Sequence, residues 1–339
     1  MRAAYYEGKG QIAVRDVEGG TLGADDVQVE VAYVGICGTD LHILDGDMDA
    51  RVSLPAILGH EMSGTITAVG AEVTEWSPGD QVVVVPLDWC GDCPACRRGF
   101  SHICYRLNFI GIDSPGALQN SWIVPQRTLV RVPGDLGLKE AALAEPTAVA
   151  VHDVRRAQLG AGEKALIVGG GPIGLLIASV ATALGGDVLV SEPNSQRREL
   201  IERTGVRTVE PTNDLAAVID DWTQGAGVDV SFEVSGSPGG VEAAVSSLAA
   251  RGRLALVAIH SRPVPVDLFK FFWRELTLVG ARVYERADYE EALRLLSSGA
   301  IPTDALISDV VPLAEAPDAF ARLRAGRAMK VLVDCRATT

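Results

Sequence analysis

The stretch that most constrains this chain is Gly169-Gly170-Gly171-Pro172-Ile173-Gly174. An apolar run, Lys164-Ala165-Leu166-Ile167-Val168, leads into it, and a second apolar run over residues 175–184 leads out. The first reads as a strand and the second as a helix. A G-x-G-x-x-G pattern between strand and helix is the setting in which it holds a dinucleotide pyrophosphate. Gly169 permits the tight turn, Gly171 lets the pyrophosphate approach the backbone, and Gly174 lets helix and strand pack closely. Pro172 and Ile173 lie within the turn, and the N-terminal amides and dipole of the helix that follows favour phosphate. Residues 187–192 form the next strand, and its last residue, Glu192, falls eighteen residues after Gly174. That is near the spacing of the carboxylate that accepts bonds from the adenosine ribose and disfavours a 2′-phosphate, so NAD is expected in preference to NADP. Arg197 and Arg198 complicate the expectation, because a nearby arginine can host that phosphate.

Strands and helices go on alternating. Helices are expected over residues 197–204, 215–222 and 240–250, and strands over 228–234, 253–259 and 276–279. Such alternation implies a parallel sheet with right-handed crossovers. The first half reads differently. Residues 27–31 alternate strictly, and 62–69 and 81–85 are strand-like, with Ser77-Pro78-Gly79-Asp80 as the turn between them. At 339 residues the chain is long enough for two domains, the first mostly β and the second α/β. Helices at 287–297 and 316–323 and strands at 307–311 and 331–334 close it.

Candidate metal ligands lie in the first half. Gly59-His60-Glu61 sits twenty-three residues after Cys37 of Gly35-Ile36-Cys37-Gly38-Thr39-Asp40. Thiolate, imidazole and carboxylate are zinc donors, and three protein ligands leave a fourth position open for chemistry. Thr39 and His42 follow Cys37; a hydroxyl and then a histidine can pass a proton outward, although alone they read as a cap and a surface residue. Cys90, Cys93, Cys96 and Cys104 follow with spacing C-x2-C-x2-C-x7-C. Four thiolates so spaced predict a closed structural zinc site, and the last interval is too long for the commonest iron–sulfur arrangement. Glu145-Pro146 opens a helix expected over 147–157; its carboxylate either approaches a metal or favours the helix N-terminus. Trp122 reads as a core or interface packing residue and His152 as a packed or solvent-facing histidine.

A net charge of −14 argues against nucleic acid and against an anionic membrane surface. The beginning, Met1-Arg2-Ala3-Ala4-Tyr5-Tyr6-Glu7, lacks the apolar region of a signal peptide, and no apolar run is long enough to span a bilayer. A cytoplasmic protein is expected, whose clustered cysteines bind metal rather than form disulfides.

These motifs, in this order, resemble the zinc-dependent medium-chain dehydrogenase/reductases, the alcohol dehydrogenase superfamily, over essentially the whole length. Glu145-Pro146 resembles the polyol branch of sorbitol, butanediol and threonine dehydrogenases, whereas other alcohol dehydrogenases carry a cysteine there. The resemblance implies an α/β fold: a GroES-like β-rich catalytic domain over 1–150 with a structural-zinc lobe at 88–106, a Rossmann doubly wound cofactor domain over 151–287, and a return to the catalytic domain over 288–339. It implies that Cys37, His60 and either Glu61 or Glu145 hold a catalytic zinc, that Thr39 and His42 relay a proton, and that Glu192 and Arg197 meet the ribose and adenine. Two zinc ions per chain and a homodimer or homotetramer follow from the same resemblance.

The activity so implied is oxidation of a secondary alcohol, a diol, polyol or sugar-like molecule, to the ketone with NAD. A threonine-type amino alcohol is the nearest enzymatic alternative, though its carboxylate needs a cationic partner that the sequence does not identify. A zinc-binding interaction protein retaining the fold is the alternative outside enzymology, and the intact ligands and glycine turn argue against it.

Overall fold

The computed structural model describes residues 1–211, 215–326 and 328–336. They form two compact units: Met1–Glu145 with Glu285–Ser297 and Ile307–Thr339, and Pro146–Tyr284 with Ser298–Leu306. Residues 298–306, read above as part of the returning segment, thus belong with the second unit, and residues 337–339 of that segment lie outside the described residues. No described helix is long and apolar enough to cross a membrane.

The main sheet of the first unit runs Leu129–Arg131, Gln81–Val84, Glu61–Val69, Asp26–Gly35, Lys330–Asp334, Ile307–Pro312. Ser121–Pro125 also pairs with Asp26–Gly35. The pairs are antiparallel except the last, which is parallel. Asp26–Gly35 is central because its alternation buries Val27, Val29 and Val31 fully on one face. Its far end sets the site: Gly35 stands opposite Glu61 on one side and Leu332 on the other. A Cβ at Gly35 would lie 2.1 Å from Glu61 Oε2 and would displace that carboxylate.

The second unit is a six-stranded parallel sheet ordered Arg207–Val209, Asp187–Ser191, Lys164–Val168, Val228–Glu233, Leu248–Leu256, Thr277–Gly280. In sequence order this is 3-2-1-4-5-6, the doubly wound arrangement whose direction reverses between the first and fourth strands. Helices cover both faces, so the inner strands are continuously apolar; Ala165, Leu166 and Ile167 are fully buried.

Among the elements that differ from expectation, the strand Arg207–Val209 was not anticipated. The helix expected at 240–250 spans Pro238–Ser246, because Ser237 caps it by accepting from the Gly240 amide, and residues 248–250 already belong to the fifth strand. A further helix, Leu268–Arg274, has Asp267 as its cap. Its consecutive aromatic residues give no stripe that a periodicity search could find, and it buries none of them.

The turn at Gly174 offers a direct check. A Cβ there would lie 1.9 Å from the Gly169 carbonyl oxygen, whereas one at Gly239 meets nothing within 4 Å. Gly174→Ala should cost about 1–3 kcal/mol through overpacking, lowering Tm by roughly 2–10 °C. Gly239→Ala, in a helix, should leave Tm unchanged or raise it. Thermal unfolding of both variants checks this; equal melting temperatures would refute the close packing at Gly174.

Candidate active site

Cys37 is the N-cap of the helix Gly38–Leu44, just past the end of Asp26–Gly35. Its extended backbone turns the chain, and its amide donates to Asp40 Oδ2 at 2.9 Å. His60 immediately precedes the strand Glu61–Val69, whose first residue is held opposite Gly35. Through this register the donor atoms of Cys37, His60 and Glu61 come to lie within 4.8 Å of one another, with His60 and Glu61 buried. A half-buried cysteine sulfur with a buried imidazole and carboxylate at this separation fits a zinc ion and leaves one tetrahedral position open.

Two groups that sequence reasoning passed over complete the cluster. Asp40 Oδ1 faces His60 Nδ1 at 3.6 Å, both atoms buried and neither hydrogen-bonded among the described residues. A carboxylate behind a ligating imidazole fixes the ring and its tautomer. Burial raises the Asp40 pKa, against the lowering pull of His60. Burial opposes charging of His60, yet Asp40, Cys37 and Glu145 outweigh it and raise its pKa well above the ordinary value. A metal bound there therefore displaces a proton. Lys330 is the second group. Its Nζ donates to both oxygens of Glu61 at 2.7 Å and to the Ile36 carbonyl at 3.2 Å. Burial disfavours its charge, but Glu61, Cys37 and Glu145 raise its pKa above the usual lysine value. Asp40 had a local signal, an acid three residues past an N-cap. Lys330, 294 residues from Ile36, had none.

Glu145 lies buried in the first turn of Ala144–Arg156. Its charge is felt at His60, Lys330 and Tyr289, but its carboxylate stands outside the three-donor group. Thr39 is half-buried on the helix Gly38–Leu44 and His42, one turn on, is exposed, with Nδ1 3.1 Å from Asp47 Oδ2. Residues three apart share a helix face, so hydroxyl and imidazole point the same way.

The sulfurs of Cys90, Cys93, Cys96 and Cys104 lie 3.4–4.0 Å apart along four edges. A tetrahedral site with Zn–S bonds of about 2.3 Å has edges of about 3.8 Å, and disulfide sulfurs would be far closer. The amides of Cys90 and Arg106 donate to Cys104 Sγ, and that of Cys96 to Cys93 Sγ. The Cys96 amide leads in pulling the Cys93 thiol down to about 6, while burial and then the Cys93 sulfur push the Cys96 thiol up to about 12, so without a cation the sulfurs share protons that a metal would displace.

In the second unit, Gly169 has φ +110° and Gly171 is the N-cap of Pro172–Ala183, with no side chain bonded across the helix start. The amide groups that open this helix, Ile173 and Gly174 among them, are where phosphate would bind. Glu192 is buried; its Oε2 accepts from the Gly170 amide at 2.7 Å and its Oε1 from the Asn194 amide at 2.8 Å. The carboxylate thus ties the glycine turn to the end of the second strand. Arg198 donates to the Glu192 and Pro193 carbonyls and approaches Glu210. The Arg197 amide is taken by the Asn194 cap, and its guanidinium has no hydrogen bond or ion pair among the described residues.

The model for the alcohol dehydrogenase GroES-like domain matches residues 23–134, and that for zinc-binding dehydrogenases residues 172–298. Over 99% of both chains the sequence is 51% identical to the 2-dehydro-3-deoxy-L-galactonate 5-dehydrogenase of Pseudoalteromonas atlantica. It is 30% identical to the sorbitol dehydrogenase of Halalkalibacterium halodurans over 96% of each. A zinc-binding dehydrogenase from Sinorhizobium meliloti, solved with NADP, superposes with a TM-score of 0.93 at 32% identity over 98% of both chains. With identity of 51% sustained along almost the full length and both domain models matched, the chain belongs to the zinc-dependent medium-chain dehydrogenase/reductase family, in its polyol branch, and is an oxidoreductase that acts on a secondary alcohol with zinc and a nicotinamide cofactor.

Proposed function

We propose that this dehydrogenase oxidises one secondary hydroxyl of a sugar acid or polyol to the ketone, with NAD as hydride acceptor and the catalytic zinc on Cys37, His60 and Glu61. The observation that carries the reading is the convergence of those three donors within 4.8 Å at a buried strand end. The relative named for a dehydrogenation at C5 of a deoxy sugar acid supports a polyhydroxylated, carboxylated substrate.

When bound, zinc lowers the pKa of the alcohol as a Lewis acid and the nicotinamide accepts the hydride. Everything else falls to this chain. Cys37 and Glu61 supply negative charge and His60 a neutral donor that Asp40 orients. Thr39 Oγ1 accepts the substrate hydroxyl proton as it gives up its own, and His42, exposed and backed by Asp47, would deliver the released proton to water. The amides at Gly171, Ile173 and Gly174 hold the pyrophosphate, and Glu192 accepts from the ribose while opposing a 2′-phosphate. Arg197, with its guanidinium free, is assigned to the adenine. The unit containing the metal donors is the catalytic domain and the unit with the glycine turn the cofactor domain. A second, structural zinc occupies the four-cysteine lobe.

The enzyme is read as a cytoplasmic homodimer or homotetramer. Self-association is supported by the outer strand Thr277–Gly280, with Leu278 exposed, and by Phe269, Phe272 and Trp273 exposed on the preceding helix.

Cys37→Ala should lower kcat/KM by at least about a thousandfold, since the Lewis acid contributes several kcal/mol. Metal analysis should then find one zinc per chain where the wild type holds two. Full activity or an unchanged metal count would remove Cys37 from the mechanism.

Cys93→Ser should release the other zinc and unfold the lobe, lowering Tm, because structural zinc contributes folding energy directly. A variant with wild-type Tm and metal content would contradict the lobe assignment.

Glu192→Gln retains an acceptor oxygen and removes the charge. It should shift the ratio of kcat/KM for NAD over NADP towards NADP by about tenfold or more. Steady-state kinetics with both cofactors measure this; an unmoved ratio would sink the role given to Glu192.

A further inference from the structure

Lys330 is 3% exposed, and its ammonium group has three acceptors: the two oxygens of Glu61 and the Ile36 carbonyl. An ammonium has three N–H donors, so all are used and the side chain is fixed. The placement follows from the sheet. Lys330 begins the strand Lys330–Asp334, Leu332 of that strand pairs with Gly35, and the Ile36 amide donates to the Val331 carbonyl. Continuing the antiparallel register brings Lys330 alongside Cys37. Glu61 reaches it because Gly35 has no side chain to block the carboxylate.

Stability alone is a weak reason for such a pair, since apolar residues of similar volume usually serve a core as well or better. One partner of this pair is also a member of the metal-donor group. Around Lys330 lie Glu61, Cys37, Glu145 and Asp40, all groups that can carry negative charge, and Lys330 and a divalent ion would share in compensating them.

We propose that Lys330 is a positioning residue for the metal centre: by holding both oxygens of Glu61 it limits how much of that carboxylate's charge and coordination the zinc receives, which keeps the zinc acidic and a coordination position available to the alcohol. The inference rests on the assignment of Cys37, His60 and Glu61 as the metal site. Without the ammonium, Glu61 is a buried carboxylate with one remaining source of compensation, the metal. It then binds the ion more completely, holding it tighter and making it a poorer Lewis acid. Lysine is suited to this because its charge is compact and its three donors radiate from one nitrogen.

The test compares Lys330→Met, Lys330→Gln, Lys330→Arg, Glu61→Gln and the double variant K330M/E61Q. The readouts are the rate at which the catalytic-site metal passes to a chelator, the absorption spectrum after cobalt(II) substitution, and kcat. Release from K330M should slow about tenfold or more, the range over which outer-shell groups tune metal sites. Its cobalt bands should shift and its kcat should fall. K330R, which keeps the charge, should release metal near the wild-type rate, and K330Q should lie between R and M. In K330M/E61Q the rate should equal that of E61Q alone, because the effect passes through Glu61. Should K330M fail to fold, K330Q against K330R carries the comparison.

A wild-type release rate and spectrum in K330Q or K330M overturns the proposal, as does an undiminished K330M effect in the E61Q background. Cys37→Ala separates the two levels of argument. If it keeps both metals, the site assignment itself has failed; if it loses one while Lys330 variants leave release unchanged, only the role of Lys330 has failed.

Discussion

The candidate metal site depends on the pairing of the strand Asp26–Gly35 with Glu61–Val69 on one side, across two compensating irregularities at Gln28/Val29 and Val31/Tyr33, and with Lys330–Asp334 on the other. Side chains alternate along a strand, so a slip by one residue moves every side chain to the opposite face. Here a slip would carry Glu61 out of the donor group and separate it from Lys330. The valines at 27, 29 and 31 resist that slip, since burying one face specifies the register. Packing at one end of the strand thereby determines coordination chemistry at the other.

That arrangement places Asp40, His60, Glu61, Glu145 and Lys330 together with little access to water. Burying charges is unfavourable unless each finds a partner. Asp40 stands against His60, Glu61 against Lys330, and Tyr289, its hydroxyl donating to the Val84 carbonyl, keeps its proton because burial and then Glu145 and Glu61 push its pKa well up. Negative charge still predominates around the donors. A cation would relieve that excess, which would give the site affinity for metal and link metal binding to the stability of this unit.

The cofactor unit solves a different problem, holding a highly charged ligand with few charged side chains. Its glycine turn presents amides, and Glu192 braces the turn by accepting from Gly170 and Asn194. The same carboxylate can brace and recognise because each oxygen has a second lone pair available. On the proposed assignment, a buried acid at this point would make cofactor preference part of the architecture of the turn rather than a property of surface charge.

What was legible in the sequence follows from distance along the chain. The cysteine lobe spans fifteen residues and the glycine turn six, so spacing alone reports their geometry. Cys37 and the His60-Glu61 pair were legible because glycines and chemically distinctive residues mark both places. The fifth strand and the helix Leu268–Arg274 were misread or missed, as apolar runs without clear period do not declare their type. Lys330 was illegible for a deeper reason. A lysine opening a strand is ordinarily a solvated charge, and only the closing of the sheet brings it to Ile36 and Glu61 across nearly the whole chain. Residues that hold a metal must have the right donor atoms and so carry a chemical label. Residues that modulate those donors need only the right charge in the right place, and in a sequence of this length that place is defined by the register of the sheet.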